Sequence, residues 1–124
     1  MKFRRTEFPK VGGRRPEHEK SGSERGYGAK WERFSQNYRR KHPFCRFCEQ
    51  DGFECVPAEC VDHIIPISDG GARFDPENCQ SLCNKHHYGT KERMQVYARK
   101  MGMVDQLPRW CADPNLRPDF TKRV

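Results

Sequence analysis

The stretch from Cys60 to Lys91 reads CVDHIIPISDGGARFDPENCQSLCNKHHYGTK, and the rest of the 124-residue chain is organised around it. An apolar run near its start carries Asp62 and His63 side by side, and a histidine doublet, His86 and His87, lies near its end. Carboxylate and imidazole side chains are the ligands that divalent cations commonly take in proteins. The stretch therefore predicts both the fold of the domain and the position of its chemistry.

Local signals divide this stretch into two strands and the beginning of a helix. We expect one strand at residues 61–65 and a second, shorter one at residues 79–82, with turn-forming residues between them. A helix is predicted from about residue 84 to residue 100, where Gly102 ends it. Its predicted buried face consists of Met94, Tyr97, Ala98 and Met101.

Cysteine spacing predicts a structural zinc site. Cys45 and Cys48 have the spacing C-x2-C, and Cys83 and His86 repeat that spacing after 34 intervening residues. Two ligands three positions apart can point at one tetrahedral ion. Buried cysteines without a metal are the alternative, but only 34% of the residues are hydrophobic, so a metal would help to hold a small core together.

Four of the seven cysteines are left over: Cys55, Cys60, Cys79 and Cys111. We interpret them as small buried hydrophobes, with exchange of Cys55 or Cys79 into the zinc site left open. An odd cysteine count and the lack of a signal peptide at Met1 favour a reducing cytoplasm over a disulfide scaffold. No apolar run approaches the length of a membrane span.

Positive charge is concentrated in the N-terminal part of the chain. Residues 1–48 carry a net charge of +9 and residues 49–124 a net charge of −2. We expect a polyanion to bind the basic part, although basic residues are also common on solvated surfaces. Composition further predicts a flexible basic arm at residues 1–26 and an irregular C-terminal tail at residues 103–124 that packs partly back on the domain.

A helix is predicted at residues 29–41, because Trp31, Phe34 and Tyr38 fall on one helical face. We interpret this aromatic face as core packing rather than as a base-stacking surface. The last turn carries basic residues that complement the helix dipole and are candidate DNA contacts, namely Arg39, Arg40 and Lys41.

The polar residues of the central stretch suit the hydrolysis of a phosphodiester. His63 is a candidate general base, because imidazole titrates near neutral pH. Asp62 and His87 offer an oxygen and a nitrogen ligand to a divalent cation. The amide of Asn78 is expected to fix the loop or to orient His63. Because adjacent helical side chains diverge by about 100°, His86 can face the zinc while His87 faces Asp62.

Four motifs, in this order, resemble those of the HNH endonuclease family, in particular its small phage and prophage members. They are RGYGAKWERF (residues 25–34), HPFCRFC (42–48), VDHIIPISDGG (61–71) and DPENCQSLCNKHH (75–87). The resemblance implies an α+β fold, a small ββα-metal (His-Me finger) domain at residues 27–102 with a structural zinc and an N-terminal helix.

The resemblance also implies roles for individual residues. Asp62 and His87 would bind the catalytic cation, His63 would be the general base and Asn78 the central asparagine. The family's zinc cysteines correspond to Cys45, Cys48 and Cys83. The chain departs from the family pattern at two positions. His86 stands where a fourth cysteine is common, and the lysine that usually follows the final histidine closely is displaced to Lys91, after Thr90. Lys91 joins the candidate DNA contacts.

The implied cofactors are a structural Zn2+ and a catalytic Mg2+, with Mn2+ or Ni2+ as substitutes. The implied partner is DNA, in the cytoplasm of a bacterial host, and similarity to phage proteins that assist the packaging terminase adds that complex as a second partner. Two alternatives remain: a non-catalytic zinc module that binds DNA or protein, and an RNA-cleaving enzyme. The Asp62–His63 pair argues against the first, and aromatic residues assigned to the core argue against the second.

Overall fold

The computed structural model describes residues 28–120 of a chain that divides into two units between Glu32 and Arg33. The predicted N-terminal arm at residues 1–26 lies outside the described residues. Helix α1 (Gly28–Lys41) confirms the predicted helix with one additional residue at its start. All other elements belong to the second unit.

Two antiparallel strands, β1 (Cys60–His63) and β2 (Cys79–Leu82), form the sheet. Their register places Asp62 opposite Gln80, so these two side chains share one face of the sheet. All four residues of β2 are buried. Strand β2 agrees with the prediction, and β1 differs from it at both ends.

Strand β1 was predicted at residues 61–65 but ends at His63. The backbone N–H of Ile65 donates to the side-chain Oδ1 of Asn78 at 2.9 Å instead of pairing with a strand carbonyl. Ile64 N–H still donates to the backbone carbonyl of Asn78 at 2.8 Å, so the asparagine side chain replaces the backbone only at Ile65, where the chain turns away from the sheet.

The helix after β2 is interrupted by a wider turn. It consists of α3 (Asn84–His86), a π-helical turn (His87–Lys91) and α4 (Glu92–Met101), and ends at Gly102 in the left-handed conformation. The predicted extent is confirmed, although sequence periodicity did not indicate the π turn. Single π turns inside helices often mark functional sites.

The buried face of α4 was predicted correctly except at its end. Met94 and Ala98 are fully buried, and Tyr97 is half-buried against the core. Met101 is 47% exposed, so its assignment to the core was wrong. The left-handed Gly102 follows at once and redirects the chain.

Residues 103–120 pack back on the domain, as expected, but are not the irregular tail that composition predicted. They contain α5 (Leu107–Ala112), flanked by short 3-10 turns, and Leu107 and Trp110 are part of the core. Arg117 donates to the Trp110 carbonyl at 2.6 Å and its guanidinium lies 4.5 Å from the Phe47 ring centre. The segment thus packs against α2 (Arg46–Gln50).

A single cluster of buried side chains joins the helices to the sheet. It comprises Cys45, Phe47, Cys48, Ile64, Leu82, Cys83, Met94, Ala98, Leu107, Trp110 and Cys111. Several members are cysteines, as expected for a domain with few apolar residues. None of the helices among residues 28–120 is sufficiently long and apolar to cross a membrane.

We predict that Leu107→Ala lowers the free energy of unfolding by about 2–5 kcal/mol, because it leaves a cavity in the core. Chemical denaturation of the zinc-loaded protein measures the change. Leu116→Ala is the matched control, since Leu116 is 46% exposed in the same segment and should shift stability by about 0.5 kcal/mol or less. Equal effects of the two variants would contradict the packing of this segment.

Candidate active site and zinc cluster

The predicted zinc residues come together although they lie far apart in sequence. Cys45 precedes α2 and Cys48 lies within it, while Cys83 precedes α3 and His86 ends it. One ligand atom from each of these four residues lies within 4.8 Å of the others. The cluster therefore ties α2 to the end of β2 and to α3.

The spacing of these atoms fits a tetrahedral zinc ion. The Cys48 and Cys83 sulfurs are 3.8 Å apart, and His86 Nδ1 lies 3.4–3.5 Å from all three sulfurs. Bonds of about 2.3 Å to sulfur and 2.0–2.1 Å to nitrogen give tetrahedral edges of about 3.8 Å and 3.6 Å. Three thiolates and one imidazole are also a chemically suitable donor set for Zn2+.

Ionisation of the thiols is unequal within the cluster. Burial and the neighbouring thiols of Cys45 and Cys83 raise the pKa of Cys48 to about 12. Burial also opposes ionisation of Cys83, but N–H groups of residues 86 and 85 and the other thiols more than offset it, so its pKa falls below the ordinary value. Of these two thiols, Cys83 is thus the one that ionises more readily.

The remaining cysteines stay outside this cluster. Cys79 and Cys111 are buried, as predicted, and Cys60 is only half-buried. Cys55 is exposed, so its assignment as a buried hydrophobe was wrong. Among residues 28–120, the groups capable of holding a metal include neither Cys55 nor Cys79. The exchange left open by the sequence is therefore not seen.

Asp51 adjoins the candidate zinc cluster, a contact that the sequence did not reveal. Its carboxylate Oδ2 lies 3.4 Å from His86 Nε2, the ring nitrogen opposite the one that faces the sulfurs. A carboxylate at this position fixes the tautomer and orientation of a metal-binding imidazole. It also adds negative charge beside the one imidazole of the cluster.

On the other side of the helix, His87 meets Asp62. Nε2 of His87 lies 3.5 Å from Oδ1 of Asp62, which is close enough for one divalent cation to contact both atoms at about 2.1 Å. Nδ1 of His87 is buried and has no hydrogen-bond partner within the described part of the chain. A buried polar nitrogen of this kind is usually satisfied by water. The fit to a divalent cation rests instead on the approach of His87 Nε2 to Asp62 Oδ1.

His63 projects from the end of β1 and is held by the loop that follows. Its Nε2 lies 2.9 Å from the carbonyl oxygen of Arg73. A carbonyl can only accept, so Nε2 must carry the proton, and in the neutral ring Nδ1 then carries the lone pair. Arg73, which sequence reasoning missed, is therefore the residue that orients the candidate base.

Asn78 holds the loop between the two strands by hydrogen bonds from its side chain. Its Oδ1 accepts from the Ile65 N–H, and its Nδ2 donates to the carbonyls of Ile65 and Ala72, each at 3.0 Å. A Cβ on Gly71 would lie 1.8 Å from the Ile65 carbonyl oxygen, so only glycine fits there. Of the two roles considered for Asn78, the geometry supports fixing the loop.

Lys91 does not lie on the surface. It is 1% exposed, and its Nζ lies 2.9 Å from Asp62 Oδ2 and donates to the carbonyl of His63 at 2.8 Å. The prediction that Lys91 contacts DNA was therefore wrong. Lys91 ends the π turn, which directs its side chain into the protein toward Asp62 instead of toward solvent.

The remaining candidate DNA contacts lie at the end of α1. Arg40 and Lys41 are exposed, whereas Arg39 is half-buried and its Nε is enclosed. Tyr38, which directly precedes them, donates to the carbonyl of Cys79, the residue that pairs with His63 in the sheet. The basic end of α1 is thus anchored beside the sheet face from which His63 projects.

Comparison with known families agrees with this geometry. Residues 45–89 match the family model described as HNH endonuclease, a segment that spans both the zinc cluster and the Asp62–His87 pair. Residues 45–89 form an HNH domain. Searches of curated proteins and of solved structures gave no significant match. The HNH domain has the expected ββα-metal fold, with two antiparallel strands followed by a helix and a cluster suited to zinc.

We predict that Asp51→Asn weakens zinc binding by the HNH domain about 10-fold. That value is the lower end of the range for residues that support metal ligands, because the Asp51 carboxylate is half-exposed. Competition with a chromophoric chelator measures the zinc dissociation constant. Glu54→Gln, an exposed change in the adjoining turn, is the control, and equal zinc affinity in both variants would rule out a role for Asp51.

Proposed function

We propose that this chain is a divalent-cation-dependent DNA endonuclease that hydrolyses phosphodiester bonds. The observation that carries the proposal is the approach of Asp62 and His87, from a strand and a helix, at the point where His63 leaves the same strand. These positions support a cation site at Asp62 and His87 and a general base at the next residue of the strand. Family membership supports nuclease activity in general, and the residue roles below are the proposal.

The cation, when bound by Asp62 and His87, would stabilise negative charge on the scissile phosphate. Mg2+ is the expected ion. Mn2+ or Ni2+ should be able to replace it, because one carboxylate and one imidazole do not select strongly among these ions. His63 would take a proton from the attacking water on Nδ1 while its Nε2–H stays bonded to Arg73. One P–O bond forms to the water oxygen as the bond to the leaving oxygen breaks.

The charge distribution favours DNA as the substrate. The basic residues Arg39, Arg40 and Lys41 follow Tyr38, whose hydroxyl donates to the carbonyl of Cys79 in β2. Arg40 and Lys41 are exposed. Contacts from such residues reach phosphates rather than base edges and carry little sequence information. We therefore expect weak sequence preference. Assistance of a phage packaging terminase stays a prediction from the resemblance.

The alternative to this proposal is a non-catalytic zinc module that binds DNA or protein. We predict that His63→Ala lowers the rate of plasmid nicking by about two to four powers of ten, since it removes the general base. The assay follows supercoiled plasmid with Mg2+ or Mn2+ and compares preparations of equal zinc content.

His42→Ala is the control for this assay, because His42 is exposed and lies outside the proposed site. It should retain the parent rate. Equal cutting by His63→Ala would exclude His63 as the base, and absence of cutting by the folded, zinc-loaded parent would favour the binding module.

We predict that Lys41→Gln weakens binding equally for DNA duplexes of different sequence and reduces the salt dependence of binding. The slope of log K against log salt should fall by about 0.9 for one lost phosphate contact. Fluorescence anisotropy at several salt concentrations measures both effects. Lys100→Gln, an exposed lysine on α4, is the matched control, and an identical slope change there would refute a specific contact at Lys41.

A further inference from the structure

Asp62 is the most constrained residue of the proposed cation site. Its side chain is 5% exposed, and a buried carboxylate is costly unless it is paired and hydrogen-bonded. The two residues that approach it from the protein interior, Gln80 and Lys91, are each 1% exposed. The site therefore depends on contacts that solvent does not reach.

The two oxygens of Asp62 have different surroundings. Oδ2 accepts a hydrogen bond from Gln80 Nε2 at 2.9 Å and pairs with Lys91 Nζ at 2.9 Å. Oδ1 lies 3.5 Å from His87 Nε2, which is beyond a good hydrogen bond. One oxygen is thus held by the protein, and the other is directed at the second cation ligand.

The side-chain amide of Gln80 makes two further contacts. Its Oε1 accepts from Arg46 Nη1 at 3.2 Å, and its Nε2 is 3.3 Å from the Cys111 sulfur. Arg46 is the first residue of α2 and follows the zinc-cluster residue Cys45 directly. A continuous line of contacts therefore runs from the zinc cluster through Arg46 and Gln80 to Asp62.

We propose that Gln80 is a positioning residue for the catalytic cation, which fixes Asp62 with Oδ1 toward His87 and, through Arg46, ties that ligand to the zinc cluster. The inference rests on the proposed function, since it concerns the same cation site. Gln80 touches no substrate in this proposal. Its amide acts by limiting the orientations that the Asp62 carboxylate can adopt.

Lys91 alone would not give this orientation. Its ammonium group also donates to the His63 carbonyl and to Gln95 Oε1, so its position is fixed, but an ammonium is a point charge that attracts either carboxylate oxygen. The Gln80 amide is directional, and its register partner in the sheet is Asp62 itself. The amide therefore determines which oxygen remains for the cation.

The test measures Mn2+ binding to the zinc-loaded full chain by calorimetry, without DNA. Asp62→Ala identifies the heat that belongs to this site. Gln80→Leu should raise the Mn2+ dissociation constant about 10- to 100-fold, the range for residues that support metal ligands. Gln36→Leu, an exposed substitution of the same type on α1, should leave the constant unchanged.

Arg46→Met provides a second variant should Gln80→Leu fail to fold, because Arg46 is only half-buried. It should weaken Mn2+ binding by a smaller factor than Gln80→Leu. The double variant should match Gln80→Leu alone, since both changes act along one line of contacts. Additive effects, or Mn2+ constants within about twofold of the parent for both single variants, would overturn the proposal.

Nicking assays over a range of Mn2+ concentrations separate positioning from general damage. In Gln80→Leu the Mn2+ concentration for half-maximal rate should rise, while the rate at saturation stays within a few-fold of the parent. A reduced rate at every concentration, with normal Mn2+ affinity, would indicate damage elsewhere and contradict the proposal.

The inference and the proposed function fail in different ways. If the parent binds Mn2+ at Asp62 and the variants bind it weakly but no preparation cuts DNA, the inference holds and the nuclease proposal fails. If the parent cuts DNA and Gln80→Leu retains parental Mn2+ affinity, the nuclease proposal holds and the inference fails. A parent without an Asp62-dependent Mn2+ site would overturn the inference regardless of cleavage.

Discussion

The cluster of three thiols and one imidazole is the constraint on which the rest of the domain depends. Cys45 and Cys48 lie some 35 residues before Cys83 in the chain, and apolar burial in so polar a domain gives little else to close that loop. A bound zinc would contribute folding free energy directly, because an unfolded chain offers no such arrangement of ligands. The position of α3, and hence of His87, follows from it.

Much of this architecture could be predicted because it is encoded locally. The limits of β2, the helix that ends at Gly102 and the four residues of the metal cluster all follow from spacing, periodicity and turn chemistry. Family resemblance supplied the ββα-metal fold. The Asp62–His87 approach also agrees with the expectation that adjacent histidines on a helix face opposite sides.

What could not be predicted depends on contacts distant in sequence. Lys91 looks like a surface cation in the sequence, and only the π turn and the buried Asp62 explain its position. The helical segment at residues 107–112 has too few periodic residues to be recognised without the α2 surface that it covers. Asp51 is ordinary in a turn until His86 is placed beside it.

The histidine doublet has a consequence for how this chain can change over time. His86 and His87 belong to two different sites, and the helix alone sets the angle between them. Inserting or deleting one residue between Cys83 and His87 would rotate the second ring by about 100° and lose one of the two sites. Length variation among descendants of this sequence should therefore be absent from residues 83–87 and accumulate in exposed turns that contact neither histidine.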